Sequence, residues 1–360
     1  MQEVLAIKGM HVGEQFIHSD EQLIFCRQMG VEYVDAVPPR KPSETEGGYC
    51  YADILARCPR KSGLEEEGYW SADSLSRFRE HVESFGLKLA AMHLPLQAGN
   101  LGAFGWPNIL LGTPERDRDI EKVCRCIEAV GKAGIPLILY SLNVSGTVRN
   151  PGWTYGRGGT MYSYFDYDKL EDAPPHPAAP ISAEQAWERI AYFIERVIPV
   201  AEECKVKMAC HPSDPAMPKG SSYQGIERVL GHVDDLKRFI DLHPSPYHGL
   251  NFCQGCVSEA CTSPEQVYDA IRYFGSRKKI FWVHFRNIRG RFLKFEETFP
   301  DEGDIDMVKA IRTYKEVGYN GVLIPDHVPQ LYLDTMWGHQ AHAFCLGYIK
   351  ALIQAVESEK

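Results

Sequence analysis

No run of apolar residues in this 360-residue chain is long enough to span a bilayer, and no Gly-x-Gly-x-x-Gly follows the first apolar run. The first absence argues against a membrane-spanning helix. The second removes the main local sign of a dinucleotide-binding open sheet. Positive charge is also in short supply. With 39 Lys and Arg against 48 Asp and Glu, the formal net charge is −9, which argues against nucleic-acid or anionic-lipid partners. The opening stretch, MQEVLAIKGMHVGE, lacks the basic region and long apolar core of an export signal. A cytoplasmic protein is therefore expected. Its eleven cysteines then read as reduced thiols, and an odd number suits a closed disulfide framework poorly. Beyond the strand–helix alternation there is no repeat, and there is no low-complexity tail.

What the chain does have is a regular succession of short apolar runs. They are IKGMHVG (7–13), VEYVDAV (31–37), KLAAMHL (88–94), IPLILYSL (135–142), VKMACH (206–211), HGLNFC (248–253), IFWVHFR (280–286) and GVLIPDH (321–327). Near-continuous apolar runs are the mark of parallel strands covered on both faces. Amphipathic stretches follow them at 19–29, 73–85, 114–132, 182–204, 233–242, 264–276, 304–317 and 339–357. Ser182 before Glu184 and Asp304 heading IDMVKAIRTYKEVG read as helix starts. Eight strand–helix units in order predict an α/β fold, a (β/α)8 TIM barrel, as a single catalytic domain over 1–360. The longest irregular stretches, 38–72 and 143–181, follow strands two and four and so fall on the C-terminal rim. The second, containing NPGWTYGRGGTMYSYFDY, reads as a substrate-covering loop.

The ends of the last four strands carry the chemistry. Strand five ends in Cys210-His211, strand six in Cys253, strand seven in His284-Phe285-Arg286 and strand eight in Asp326-His327. Taken singly, a His at a strand end is more often a hydrogen-bonded structural residue, and a Cys a small apolar one. Together they bring two imidazoles, a thiolate and a carboxylate to one rim, on strands about 5 Å apart at each step. That donor set suits a divalent transition ion, Mn²⁺ first, with Fe²⁺, Co²⁺ or Zn²⁺ as alternatives, and no organic cofactor is expected. Cys253 closes the strand, so it is preferred as ligand to Cys256, which lies beyond Gly255, and to Cys261. Arg286, two residues after His284, is expected on the same strand side, where it could clamp a substrate carboxylate or form a rim salt bridge. Asp214 in HPSDP could orient a ligand or cap its turn.

VKMACHPSDP (206–215), GLNFC (249–253), KIFWVHFRNIRG (279–290), FPDEGDIDMV (299–308) and GVLIPDHVP (321–329) resemble the mannonate dehydratase family. The family consists of metal-dependent lyases with a xylose-isomerase-like TIM barrel. The resemblance covers the C-terminal half and places the family's metal positions on His211, Cys253, His284 and Asp326. It departs at MHVGEQ (10–15), where the family has a Trp-Tyr-Gly type motif, and in TMWGHQAHAFCLGYIKAL (335–352). There a gapless match sets Trp337 against a Tyr proposed as acid/base. An indole N–H donates but cannot trade a proton near neutrality, so His327, Tyr332 and His339 become the candidates for that work.

The resemblance implies loss of water from a sugar acid, D-mannonate or a related aldonate, to give a 2-keto-3-deoxy acid. Arg286 would then neutralise the carboxylate, and a nearby His such as His327 would move the proton. Two alternatives stay open: a metal-dependent isomerase, epimerase or lyase acting on a keto-sugar, and a non-catalytic metal-binding barrel. Self-association through outer helices is expected, as in other barrels.

Overall fold

The computed structural model describes residues 8–17, 19–36, 68–96, 106–170 and 173–359. Eight parallel strands close into a barrel in the order β1-β8-β7-β6-β5-β4-β3-β2. They are β1 (Met10–Ile17), β2 (Tyr33–Ala36), β3 (Lys88–His93) and β4 (Leu137–Ser141), then β5 (Lys207–His211), β6 (His248–Cys253), β7 (Ile280–His284) and β8 (Gly321–Ile324). This is the barrel expected from the apolar runs. The outer layer is α1 (Asp20–Gln28), α2 (Ala72–Ser84), α3 (Arg116–Lys132), α4 (Ala183–Cys204), α5 (Val233–Asp241), α6 (Pro264–Ser276), α7 (Met307–Glu316) and α8 (His339–Ser358). Among the described residues no helix is long and apolar enough to cross a membrane.

Two apolar layers result from strand alternation. One set of strand residues, including Val34, Leu89, Ile138, Met208, Leu250, Val283 and Leu323, packs against the helices. The alternate set, Tyr33, Ala91, Leu139, Ala209, Trp282, Val322 and Ile324 among it, fills the barrel interior. Each of these large side chains contributes about 1.5–3 kcal/mol on burial. The interior parity also fixes which polar residues reach the barrel mouth. His211 follows Ala209 by two positions and His284 follows Trp282, whereas Asp326 lies two residues past the end of its strand at Ile324.

Several boundaries differ from the sequence reading. β1 runs on through Glu14 and Gln15, where the apolar pattern breaks, because both find buried partners. Glu14 takes a hydrogen bond from His342 Nδ1 at 2.8 Å, and Gln15 Nε2 donates to the Pro325 carbonyl at 3.2 Å. β7 stops at His284, so Arg286 lies beyond the strand and strand alternation does not govern its direction. The turn expected after Cys253 is the start of a short helix, Gln254–Ala260, with Cys253 as its N-cap. α4 is capped by Ser182 with Gln185, and α7 by Asp306 rather than Asp304.

Most of the 38–72 loop lies outside the described residues. The 143–181 segment is partly ordered into sheet. Its Tyr164–Asp166 adds antiparallel to Lys294–Glu297, which forms a hairpin with Ile288–Arg291. The nine cysteines among the described residues are all free thiols.

Candidate metal centre and active-site cavity

Each of the last four strands delivers one potential ligand to the barrel mouth. Ligand atoms of His211, Cys253, His284 and Asp326 all lie within 4.8 Å of one another. Cys253 Sγ and His284 Nδ1 are each 3.5 Å from Asp326 Oδ2. The register explains the convergence: Cys253 pairs with His284 across β6 and β7, and His284 pairs with Ile324, two residues before Asp326.

The surroundings orient the imidazoles. His211 Nδ1 donates to the Pro212 carbonyl at 2.7 Å, which leaves Nε2 with its lone pair. His284 Nε2 is 3.0 Å from Asn251 Nδ2. The Asn251 Oδ1 is buried without a hydrogen-bond partner, so turning the amide lets Nε2–H donate to that oxygen. The Nδ1 lone pair of His284 then faces Asp326 and Cys253. That Nδ1 is itself buried and has no hydrogen-bond partner. A buried orphan nitrogen beside a thiol and a carboxylate is a donor set that fits a divalent transition ion.

Charge favours the same set. Burial opposes ionisation of Cys253, but the Cys256 hydrogen bond and the Arg286 guanidinium hold its thiol well below the usual range. Burial and the neighbouring Cys253 push Cys256 the other way. Of the two thiols, Cys253 is thus the one held toward its ionised form. Asp326 is likewise depressed, against burial, by His327, His284 and Arg286. His284 is pushed up to about 10, again against burial, by Asp326 and Cys253, so these two anions draw positive charge to its Nδ1, a proton there being what a bound ion would displace.

Arg286 does not reach outward. Its side chain is 1% exposed, and its guanidinium meets Glu259 at 2.8 Å, Asp214 and Asp326 at 3.2 Å each, and also Glu297. A guanidinium shared by four carboxylates has no free fork for a substrate, so the clamp expected at this position is replaced by a buried support. Gly255 makes the approach possible: a Cβ there would sit 2.1 Å from Arg286 Nε. Arg149, from the 143–181 segment, adds a second cation, 2.5 Å from Asp214 and 3.3 Å from Glu259, and also bonded to Glu297. Burial and Asp214 raise the Glu259 carboxyl well above its usual range. Glu297 is lowered to about 2, against burial, by Arg149, His327 and Arg286. Asp214 anchors both arginines.

A cavity opens over His211, His284 and Asp326, walled in part also by His93, Tyr140, Asn143, Asp214, Asn251 and His327. His327, whose φ is +44°, donates through Nδ1 to Glu297 Oε1 at 2.5 Å. The other expected proton carriers are elsewhere. Tyr332 is 85% exposed. His339 Nδ1 is spent on Thr335 Oγ1 at 2.5 Å. Trp337 stacks on His342 (centroids 4.2 Å apart, planes 5° apart) and packs edge-on to Phe25. Neither Tyr332, His339 nor Trp337 is among the described residues that wall the cavity. Sequence reasoning missed Arg149, Asn251, Glu259, Glu297, Asp35 and His93. Only His93 carries a signal of the kind already used, a His ending a strand.

Comparison with known proteins gives a consistent picture. Residues 176–360 match the family profile described as D-mannonate dehydratase (UxuA), a span that holds all four candidate ligands. The mannonate dehydratase of Thermotoga maritima is 27% identical over 345 residues, covering 81% of this chain and 88% of that one. The crystal structure of mannonate dehydratase from Streptococcus suis serotype 2 superposes with a TM-score of 0.79 at 23% identity, over 97% of this chain and 94% of that one. A xylose isomerase domain protein from Alicyclobacillus acidocaldarius shares the barrel more distantly, with a TM-score of 0.57 at 15% identity, covering 97% of this chain and 100% of that one. With more than half of its length matched by that profile and its ligand-bearing strands inside the match, the chain belongs to the D-mannonate dehydratase (UxuA) family of metal-dependent hydro-lyases.

Proposed function

We propose that the protein removes water from an aldonate, D-mannonate or a close stereoisomer, to give a 2-keto-3-deoxy acid. The observation that carries this is the cluster of His211, Cys253, His284 and Asp326, three of which line the cavity, with an orphan imidazole nitrogen inside it. These four residues would hold one divalent ion. A thiolate argues against Mg²⁺ and Ca²⁺, and Mn²⁺ is the ion proposed, with Fe²⁺, Co²⁺ and Zn²⁺ as competitors. Such an ion would supply Lewis acidity toward the carboxylate and hydroxyl oxygens of the substrate.

The remaining roles fall to the chain's own side chains. Arg286 supports Asp326 and Cys253 from behind and keeps both ionised. His327, backed by Glu297, is the cavity-wall group suited to hand a proton to the departing hydroxyl. Asn251 and Pro212 fix the two imidazoles. Free buried thiols are in keeping with a reducing, cytoplasmic setting.

The test is turnover on a panel of aldonates and keto-sugars with Mn²⁺-loaded protein. Formation of a 2-keto-3-deoxy acid supports the reading. Interconversion of keto-sugars without loss of water would replace it with an isomerase or epimerase, and absence of any reaction would leave a binding barrel.

A further inference from the structure

One imidazole in the cavity wall, His93, is backed by a buried carboxylate, Asp35, and the roles above leave this pair unused. Asp35 follows Tyr33 by two positions on β2, and His93 follows Ala91 by two on β3. Tyr33 and Ala91 belong to the barrel interior, so Asp35 and His93 share its inward face at the mouth. His93 Nε2 is 2.9 Å from Asp35 Oδ1, and the same oxygen accepts the Phe16 N–H at 2.8 Å. Asp35 is fully buried, and its other oxygen has no hydrogen-bond partner.

A buried carboxylate this sparsely bonded demands a donor, and His93 Nε2–H is the side-chain donor present. That settles the tautomer, because with Nε2 protonated, Nδ1 carries the lone pair. His93 Nδ1 makes no hydrogen bond to a described residue. The ring is held in plane by Phe16, with centroids 4.3 Å apart and a tilt of 32°. Phe16 itself sits at φ +53°, a left-handed conformation that a bulky residue takes only when its surroundings impose it, and Asp35 grips its N–H there. His93 walls the same cavity as His211, His284 and Asp326, yet no hydrogen bond or ion pair joins it to them.

We propose that His93 is the base that takes the proton α to the substrate carboxylate, with Asp35 as its positioning residue. This rests on the sugar-acid reading above. The C2–H bond breaks and its proton goes to His93 Nδ1, while its electron pair forms the C2=C3 double bond. The C3–O bond breaks, and the oxygen leaves as water with a proton from His327. The resulting enol takes a proton at C3 from the His93 imidazolium, and its hydroxyl proton returns to His327. The sum is the loss of one water.

The test follows two readouts on Mn²⁺-loaded protein in D₂O, using the aldonate and keto-sugar panel: 2-keto-3-deoxy acid formation and wash-out of the substrate C2 proton by NMR. His93→Ala and the bulkier His93→Gln are expected to lose about 10²–10⁴-fold in both, with metal content unchanged. Added imidazole is expected to restore part of the rate to His93→Ala, which a merely structural role for the ring would not allow. Asp35→Asn is expected to lower kcat while leaving KM and metal content near the native values. Variants of His93 within threefold of native in both readouts overturn the assignment, as does a folded His93→Gln that has lost its metal. A native protein that washes out the C2 proton without dehydrating, and loses that wash-out in His93→Gln, overturns the dehydratase reading and keeps the base. A native protein that does neither overturns both.

Discussion

Asn251 Nδ2 lies 3.0 Å from His284 Nε2, the ring nitrogen opposite the one that faces Asp326. Partners of this kind fix ring orientation, and their removal costs about 10–100-fold in metal affinity. Asn251→Ala is therefore expected to weaken Mn²⁺ binding by that factor in a competitive chelator titration, with the circular dichroism spectrum unchanged. Native affinity in the variant would mean that packing alone holds His284.

The two neighbouring thiols should separate cleanly. Cys253 accepts the Cys256 N–H at 3.4 Å and is held below the usual thiol range, whereas Cys256 is held above it. Metal analysis of Cys253→Ala is expected to show most of the ion lost, and Cys256→Ala is expected to retain it. The reverse pattern would transfer the ligand role to Cys256.

Arg286 is expected to matter first for stability. Removing its guanidinium leaves Asp214, Glu259, Glu297 and Asp326 in a buried space, with Arg149 still paired to the first three and none of them any longer bridged to Asp326 through a shared guanidinium. Breaking such a network by deleting one partner costs about 3–5 kcal/mol. Arg286→Met should show that loss in denaturant unfolding. An Arg286→Lys protein of native stability with a sharply raised KM for its acid substrate would return the residue to the role of carboxylate clamp.

Trp337 and Tyr332 stand apart from the cavity, so Trp337→Phe and Tyr332→Phe are expected to keep kcat within about threefold of native. His327→Asn removes a cavity-wall proton carrier and is expected to lose about 10²–10⁴-fold. A Trp337→Phe enzyme as impaired as His327→Asn would show that the indole shapes the reacting geometry through His342, on which it stacks.

The barrel and its candidate metal cluster were legible because they depend largely on local periodicity. Parallel strands covered on both faces must be apolar throughout, so all eight could be read, and β6 and α6 have the bounds expected. Residues that end strands five to eight then converge of necessity, since the barrel closes and strand parity points them inward. His211, Cys253 and His284 follow from that rule, and Asp326 follows its strand by two residues. The same rule, extended to strand three, would have found His93.

What stayed hidden depends on contacts between residues far apart in the chain. Arg149 meets Glu297 across 148 positions, and His342 meets Glu14 across 328. No spacing in the sequence announces such pairs; only the closed fold sets a buried charge against its partner. Arg286 shows the difference. Its place two residues after a ligand suggested an outward clamp, but β7 ends before it and the guanidinium turns into four carboxylates supplied by three other segments and the adjoining hairpin. The amino-acid sequence by itself determined the barrel and the strand ends that carry the four candidate ligands, because periodicity and chain order suffice for these. The tertiary structure alone decided which charged groups are buried together and which imidazoles face the cavity, because burial and pairing are properties of the closed surface and not of any segment.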